Sequence, residues 1–216
     1  MRLTSSFDDN RPLPEIHAFA VADPETHFRL GANRSPGFTW DRPPVGTRSF
    51  VLVCHDPGVP SRFDHINRDD VVIPESMPRG VFFHWALVDL PATCRGVREG
   101  EFSDGAVPRG KPGPATRHGA RHGLNDFTRG FAQDPQIAGD YFGYDGPCPP
   151  WNDERVHRYV FTLYAVDLEC CPVEGRFTGP DVLRAIEGHV LGEASLTGWY
   201  TLNPGAGLTE VACVNN

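Results

Sequence analysis

Val81-Phe82-Phe83-His84-Trp85-Ala86-Leu87-Val88-Asp89-Leu90-Pro91 is the stretch on which the fold turns. It is apolar almost without a break and rich in β-branched and aromatic residues. It therefore predicts a long central β-strand buried on both faces. Two other runs read the same way. Phe50-Val51-Leu52-Val53-Cys54 is too short for a helix and leads into His55-Asp56-Pro57-Gly58-Val59-Pro60, whose composition predicts a tight turn. His157-Arg158-Tyr159-Val160-Phe161-Thr162-Leu163-Tyr164-Ala165-Val166-Asp167 supplies the third buried strand.

What lies between these strands is full of helix breakers. The chain has 216 residues, of which 23 are glycine and 21 proline. That is about a fifth of the chain, against roughly 12% in average proteins, and it excludes a helical bundle or a coiled coil. Residues 1–35 read as an irregular arm with one short strand near Ile16–Val21, and Phe38-Thr39-Trp40 as a strand between turns. Residues 61–80 and 95–123 read as long loops. Asn125–Asp134 predicts one or two helical turns, capped by Asn125 or Asp126, with Phe127 and Phe131 four apart on one face. One longer helix opens at Pro180-Asp181, with Val182, Leu183, Ile186, Val190 and Leu191 at helical spacing. Ala194–Leu202 reads as a last strand. With no repeat and no linker, residues 1–216 are expected to form a single domain.

The net charge is −8, from 28 acids against 20 bases, which sets the chain as a whole against the phosphate backbone of nucleic acids. No apolar run approaches the ~20 residues that span a bilayer, and residues 1–9 carry no apolar signal region. Cys54, Cys94, Cys148, Cys170, Cys171 and Cys213 form no CxxC pair and are expected as free thiols in the cytoplasm. The phosphate-loop-like Gly105–Lys111 is followed by Pro112, where Ser or Thr would be needed. There is no GxSxG elbow and no zinc spacing. His118 and His122 are four apart, but glycines beside both argue against a helix that would align them. Arg117-His118-Gly119-Ala120-Arg121-His122-Gly123 is the best local basic patch: a solvated loop, or a rim that draws anionic ligands.

Three polar residues have unusual addresses. Asp56 follows the first strand, His84 interrupts the second between Phe83 and Trp85, and His157 opens the third. Each has an ordinary explanation alone: a turn-forming carboxylate, or a core histidine satisfied by a carbonyl. Together, at strand ends of one sheet, a carboxylate and two imidazoles could converge on a small cavity, closed by backbone amides of Gly146–Pro150. Such a set suits a phosphate-type anion.

The ordered set resembles the phosphatidylethanolamine-binding protein family in its bacterial Raf-kinase-inhibitor-like branch. Asp56-Pro57-Gly58-Val59-Pro60 and His84-Trp85 match its first signature. Gly146-Pro147-Cys148-Pro149-Pro150 followed by His157-Arg158-Tyr159 matches its second. The resemblance covers roughly residues 12–203, including Ser35-Pro36 and Trp40. It implies a mainly β fold, a large central antiparallel sheet packed by a smaller one, with few short helices. It also implies a pocket formed by Asp56, His84, Gly146, Pro147, Cys148, Pro149, Pro150, His157 and Tyr159. That pocket would take phosphate, acetate-like anions or the phosphoethanolamine head group, with no cofactor and no metal. The function implied is regulatory binding through a protein partner, a kinase or peptidase, and a homodimer is compatible with it. Two other readings stand beside this one: an inhibitor-like interaction module that does not use the pocket, and an enzyme using the histidines as acid and base. Lacking an evident nucleophile, the chain is read as a non-enzyme. Gly58 departs from the family by replacing an aspartate at the pocket mouth. Residues 61–80, residues 103–123 and Trp151-Asn152-Asp153-Glu154-Arg155 depart by length or charge, and all three are expected to reshape the rim.

Overall fold

Phe50, Leu52 and Cys54 pack on one side of the central sheet and Val51 and Val53 on the other, and every one of them is buried. This is why the run shows no polar alternation: the sheet has two covered faces. The computed structural model describes residues 1–206. Its strands in chain order are β1 (Arg2–Ser5), β2 (Arg11–Pro12), β3 (Ala20–Asp23), β4 (His27–Leu30), β5 (Phe38–Asp41), β6 (Ser49–Pro60), β7 (Arg79–Pro91), β8 (Gly96–Val97), β9 (Gly110–Lys111), β10 (Arg121–His122), β11 (Asp140–Tyr141), β12 (His157–Val166) and β13 (Val190–Tyr200). Two short α-helices, α1 (Phe127–Gly130) and α2 (Gly179–Ala185), complete the regular structure together with three 3₁₀ turns.

The large sheet runs β10-β7-β6-β12-β13-β2 and is antiparallel except for the β13–β2 edge. A three-stranded sheet, β1-β5-β8, is the smaller one. Its Leu3, Phe38, Trp40 and Val97 share a core with Phe50, Leu52, Trp85, Leu87, Phe161 and Leu163 of the large sheet. On the opposite face Val51, Val53, Ala86 and Val88 meet Val182 of α2, Ile186 just after it and Phe177 before it. The fold is mainly β, as the sequence predicts.

Four local expectations need correction. The segment Asp56-Pro57-Gly58 does not end a strand: β6 continues to Pro60, and its register with β7 slips between Asp56 and Val59. Proline has no N–H for a ladder, and a bulge is where a strand can hold one. The C-terminal helix is shorter than its apolar spacing suggests. Thr178 and Asp181 form a capping box, and Pro180 falls in the first turn. The helix stops at Ala185, and Gly188, at φ +81°, turns the chain into β13. Val190 and Leu191 therefore belong to that strand, which starts well before Ala194. Residues 95–123 contain β8, β9 and β10, and the N-terminal arm contributes β1 to β4, the strand expected near Ile16–Val21 starting only at Ala20, after a 3₁₀ turn at Glu15–His17. Cys54, Cys94, Cys148, Cys170 and Cys171 are free, and Cys213 lies outside the described residues.

Candidate ligand-binding site

His84 owes its position to an irregularity in β7. Cys54 pairs with Trp85 and His55 with Phe83, so His84 is the extra residue of a β-bulge. Bulges re-aim side chains. Here the His84 carbonyl accepts the Asp145 N–H (3.1 Å) and its Nδ1 donates to the Asp145 carbonyl (2.8 Å). A carbonyl can only accept, so Nδ1 carries the proton and, in the neutral ring, Nε2 is an acceptor. The ring lies among Phe82, Phe127 and Tyr159, at centroid distances of 4.8, 5.6 and 5.0 Å. This burial lowers its pKa, against the raising influence of Asp56 and the Asp145 carbonyl. His84 is a neutral imidazole.

His157 is the opposite case. At the start of β12 its Nδ1 meets Asp56 Oδ2 at 2.5 Å and its Nε2 meets Asp153 Oδ2 at 3.1 Å. Burial pulls its pKa down, but the two carboxylates more than offset this and raise it to about 9. His157 is an imidazolium with both N–H groups already given away. Asp153 is itself held by Arg79, whose Nη1 and Nη2 donate to its two oxygens at 2.5 and 3.0 Å. Nη1 also donates to the Gly58 carbonyl, and the Gly58 N–H donates to Asp56 Oδ1 (2.7 Å). Arg79, Asp153, His157 and Asp56 thus form one buried ladder of alternating charge.

A third network sets the loop before β12. Asp145, fully buried, accepts from Lys111 Nζ (2.8 Å), Asn33 Nδ2 (2.7 Å) and Asn125 Nδ2 (2.8 Å). The Gly146 N–H donates to Asn33 Oδ1, and the Pro147 carbonyl accepts from Phe19 and Ala20. A Cβ on Gly146 would lie 1.9 Å from the His17 carbonyl oxygen, so the loop and the N-terminal arm meet only because the residue is glycine.

These elements enclose a cavity of about 250 Å³. Asp56, His84, Cys148, Pro149, Pro150, His157 and Tyr159 line it, together with Phe82, Phe127 and Phe131. Burial raises the Cys148 thiol to about 12 and the Tyr159 phenol well above its ordinary value, so both stay protonated. Of the residues expected there, Gly146 and Pro147 do not line the cavity; they support it from behind. The expected cradle of loop amides is also absent: three of the five residues are prolines, and Asn33 takes the Gly146 N–H. Only the Cys148 N–H has no protein partner among the described residues. Nor do both histidines donate to a ligand, because Asp153 occupies the second N–H of His157. Among the described residues no group of three His, Cys, Asp or Glu is placed to hold a metal ion.

The chain matches the family model for phosphatidylethanolamine-binding protein over residues 3–201. It belongs to that family. A UPF0098 protein of Methanothermobacter thermautotrophicus is 34% identical over 170 residues, 79% of this chain and 84% of that one. Escherichia coli YbhB is 29% identical over 199 residues, 92% and 98% of the two chains. Among solved structures, Escherichia coli YbcL, described as a new member of the mammalian PEBP family, superposes with a TM-score of 0.65 at 26% identity. That match covers 93% of this chain and 97% of YbcL.

Against the phosphatidylethanolamine-binding protein signature, the departures now have places. Residues 61–80 do reach the rim, where Phe63, Ile66 and Asn67 line the cavity. Asn152 pins this segment: its Nδ2 donates to the carbonyls of His65 and Val71, and its Oδ1 accepts from Asn67. The basic stretch is not a rim. None of residues 103–123 lines the cavity, Arg121 is paired with Asp89 (2.6 Å), and His118 binds Glu101 (2.7 Å). Arg79 and Asp153 escaped the sequence reading. Asp153 stands four residues before His157 in an unusually charged loop, which was the available signal. Nothing near Arg79 in sequence points to position 153.

Proposed function

We propose that this family member is a binding protein for a small phosphate-bearing head group, phosphoethanolamine or inorganic phosphate. The observation that carries this reading is the cavity itself. It presents an unpartnered imidazole nitrogen, a carboxylate and a hydroxyl in an aromatic-lined pocket. Few convergent polar groups in an apolar concavity are the usual signature of a small-molecule site. The apolar lining, with Phe63, Ile66 and Phe131, suits the carbon portion of a lipid.

The reading is a binding role and not catalysis. A general acid needs a proton to give, and both N–H groups of His157 are committed to carboxylates. A thiol nucleophile needs a thiolate, and Cys148 is held as the thiol. Regulation through a protein partner and a cytoplasmic location are parts of this proposal; the free cysteines support the latter. Isothermal calorimetry with phosphoethanolamine and with phosphate tests the proposal. Wild type is expected to bind, and His84→Ala to bind at least about tenfold more weakly while keeping its circular dichroism spectrum. Equal affinity in both proteins would remove the pocket from the account.

A further inference from the structure

The buried ladder behind His157 does more than hold the ring. Resting on the head-group reading above, we propose that Asp153, positioned by Arg79, makes the cavity select phosphate groups that bring their own proton or ammonium over fully ionised anions such as sulfate.

The argument is one of charge and hydrogen-bond polarity. Asp56 and Asp153 carry two negative charges, His157 and Arg79 two positive ones, and the four groups are in direct contact. The ladder is neutral as a unit, so it offers an entering anion no net positive charge. It also offers few donors. The His157 N–H groups end on Asp56 and Asp153, and the Arg79 guanidinium ends on Asp153 and the carbonyls of Gly58, Met77 and Pro74. What faces the cavity is dominated by acceptors, the Nε2 of His84 and the carboxylate of Asp56. An acceptor facing an acceptor in a desolvated site is repulsive, whereas a donor there completes a hydrogen bond that otherwise goes unmade.

Phosphate and sulfate are tetrahedral oxyanions of nearly the same size. Near neutral pH phosphate keeps at least one P–OH and sulfate has none. Phosphoethanolamine, a monoester with its second ionisation at about 6, is mostly without a P–OH at pH 7 and brings an ammonium instead. A P–OH or N–H⁺ can donate to His84 or Asp56 while a remaining oxygen accepts from the Tyr159 hydroxyl. Sulfate can make only the second bond. Neither Asp153 nor Arg79 lines the cavity. They act through His157, Asp153 by cancelling its charge and engaging its second N–H, Arg79 by fixing Asp153.

The test is calorimetry at pH 7 with inorganic phosphate, phosphoethanolamine and sulfate, on the full chain and on Asp153→Asn. The variant keeps the side-chain shape and leaves the site one unit more positive. In wild type, phosphate is expected to bind at least about tenfold more tightly than sulfate. In Asp153→Asn, sulfate should gain about tenfold and the discrimination should shrink, which loss of stability alone would not produce. Should the variant fail to fold, the wild-type ratio still decides. Phosphate and sulfate of equal affinity in wild type, or an unchanged ratio in the folded variant, would overturn this inference and leave the head-group reading standing. No binding of either phosphate or phosphoethanolamine would overturn both.

Discussion

The imidazolium of His157 makes stability depend on pH in a way that can be calculated. Its pKa in the folded protein is about 9 against an ordinary 6.5. A raised histidine pKa contributes stability that is complete below 6.5 and disappears as pH rises through 9. The difference corresponds to about 3 kcal/mol, and about 1 kcal/mol of it falls between pH 7.5 and 8.5. His17, His55, His84 and His122 are shifted downward by burial, so each costs stability as pH falls through 6.5, an opposing change that has nearly vanished by pH 7.5. The buried thiols of Cys54 and Cys148 begin to matter near 9, where the unfolded chain ionises. The interval from 7.5 to 8.5 therefore isolates His157. Urea unfolding across it should show a midpoint that falls steadily with a constant slope. In parallel, the His157 ring followed by NMR should keep its charge past pH 8. A midpoint that does not move, together with a ring that titrates near 6.5, would refute the two-carboxylate clamp.

Other expectations follow from single contacts. Asp153→Ala and Arg79→Met should each cost about 3–5 kcal/mol, because each leaves a buried charge without its partner, while the double variant should cost clearly less than the sum in the same urea assay. Gly146→Ala should lose on the order of 4 kcal/mol, since its Cβ has no room beside the His17 carbonyl, whereas Gly80→Ala, with open space around it, should stay within about 0.5 kcal/mol. Iodoacetamide on the native protein should label exposed Cys170 readily and leave Cys54 and Cys148 intact by mass spectrometry.

The parts of this fold that read directly from sequence are those where chemistry repeats along the chain. Runs such as Phe50–Cys54 and His157–Val166 are buried on both faces, and that leaves an unbroken apolar signal. His84 and His157 stand out because a polar residue in such a run is costly unless something uses it. The limits of elements are less legible. Val190 and Leu191 extend the helical spacing of Val182 and Ile186, and only the left-handed turn at Gly188 assigns them to β13. The charge state of the site is the least legible part. It depends on Arg79, Asp153 and Asp56 meeting around His157, a contact among three chain segments with no periodicity to announce it. Asp145 is similar: as part of an aromatic and proline-rich loop it looks like a turn residue, and only the fold brings Lys111, Asn33 and Asn125 to it.

The most direct test of the account is an NMR titration of the imidazole nitrogens with inorganic phosphate near pH 7. The account assigns the two pocket histidines different states: His84 a neutral acceptor open to the ligand, His157 a cation already saturated by carboxylates. Saturating phosphate should shift the His84 Nε2 resonance toward that of a hydrogen-bonded acceptor and leave both His157 nitrogens protonated and nearly unmoved. A His84 resonance that stays in place while phosphate binds, or a His157 ring that responds in its stead, would contradict it.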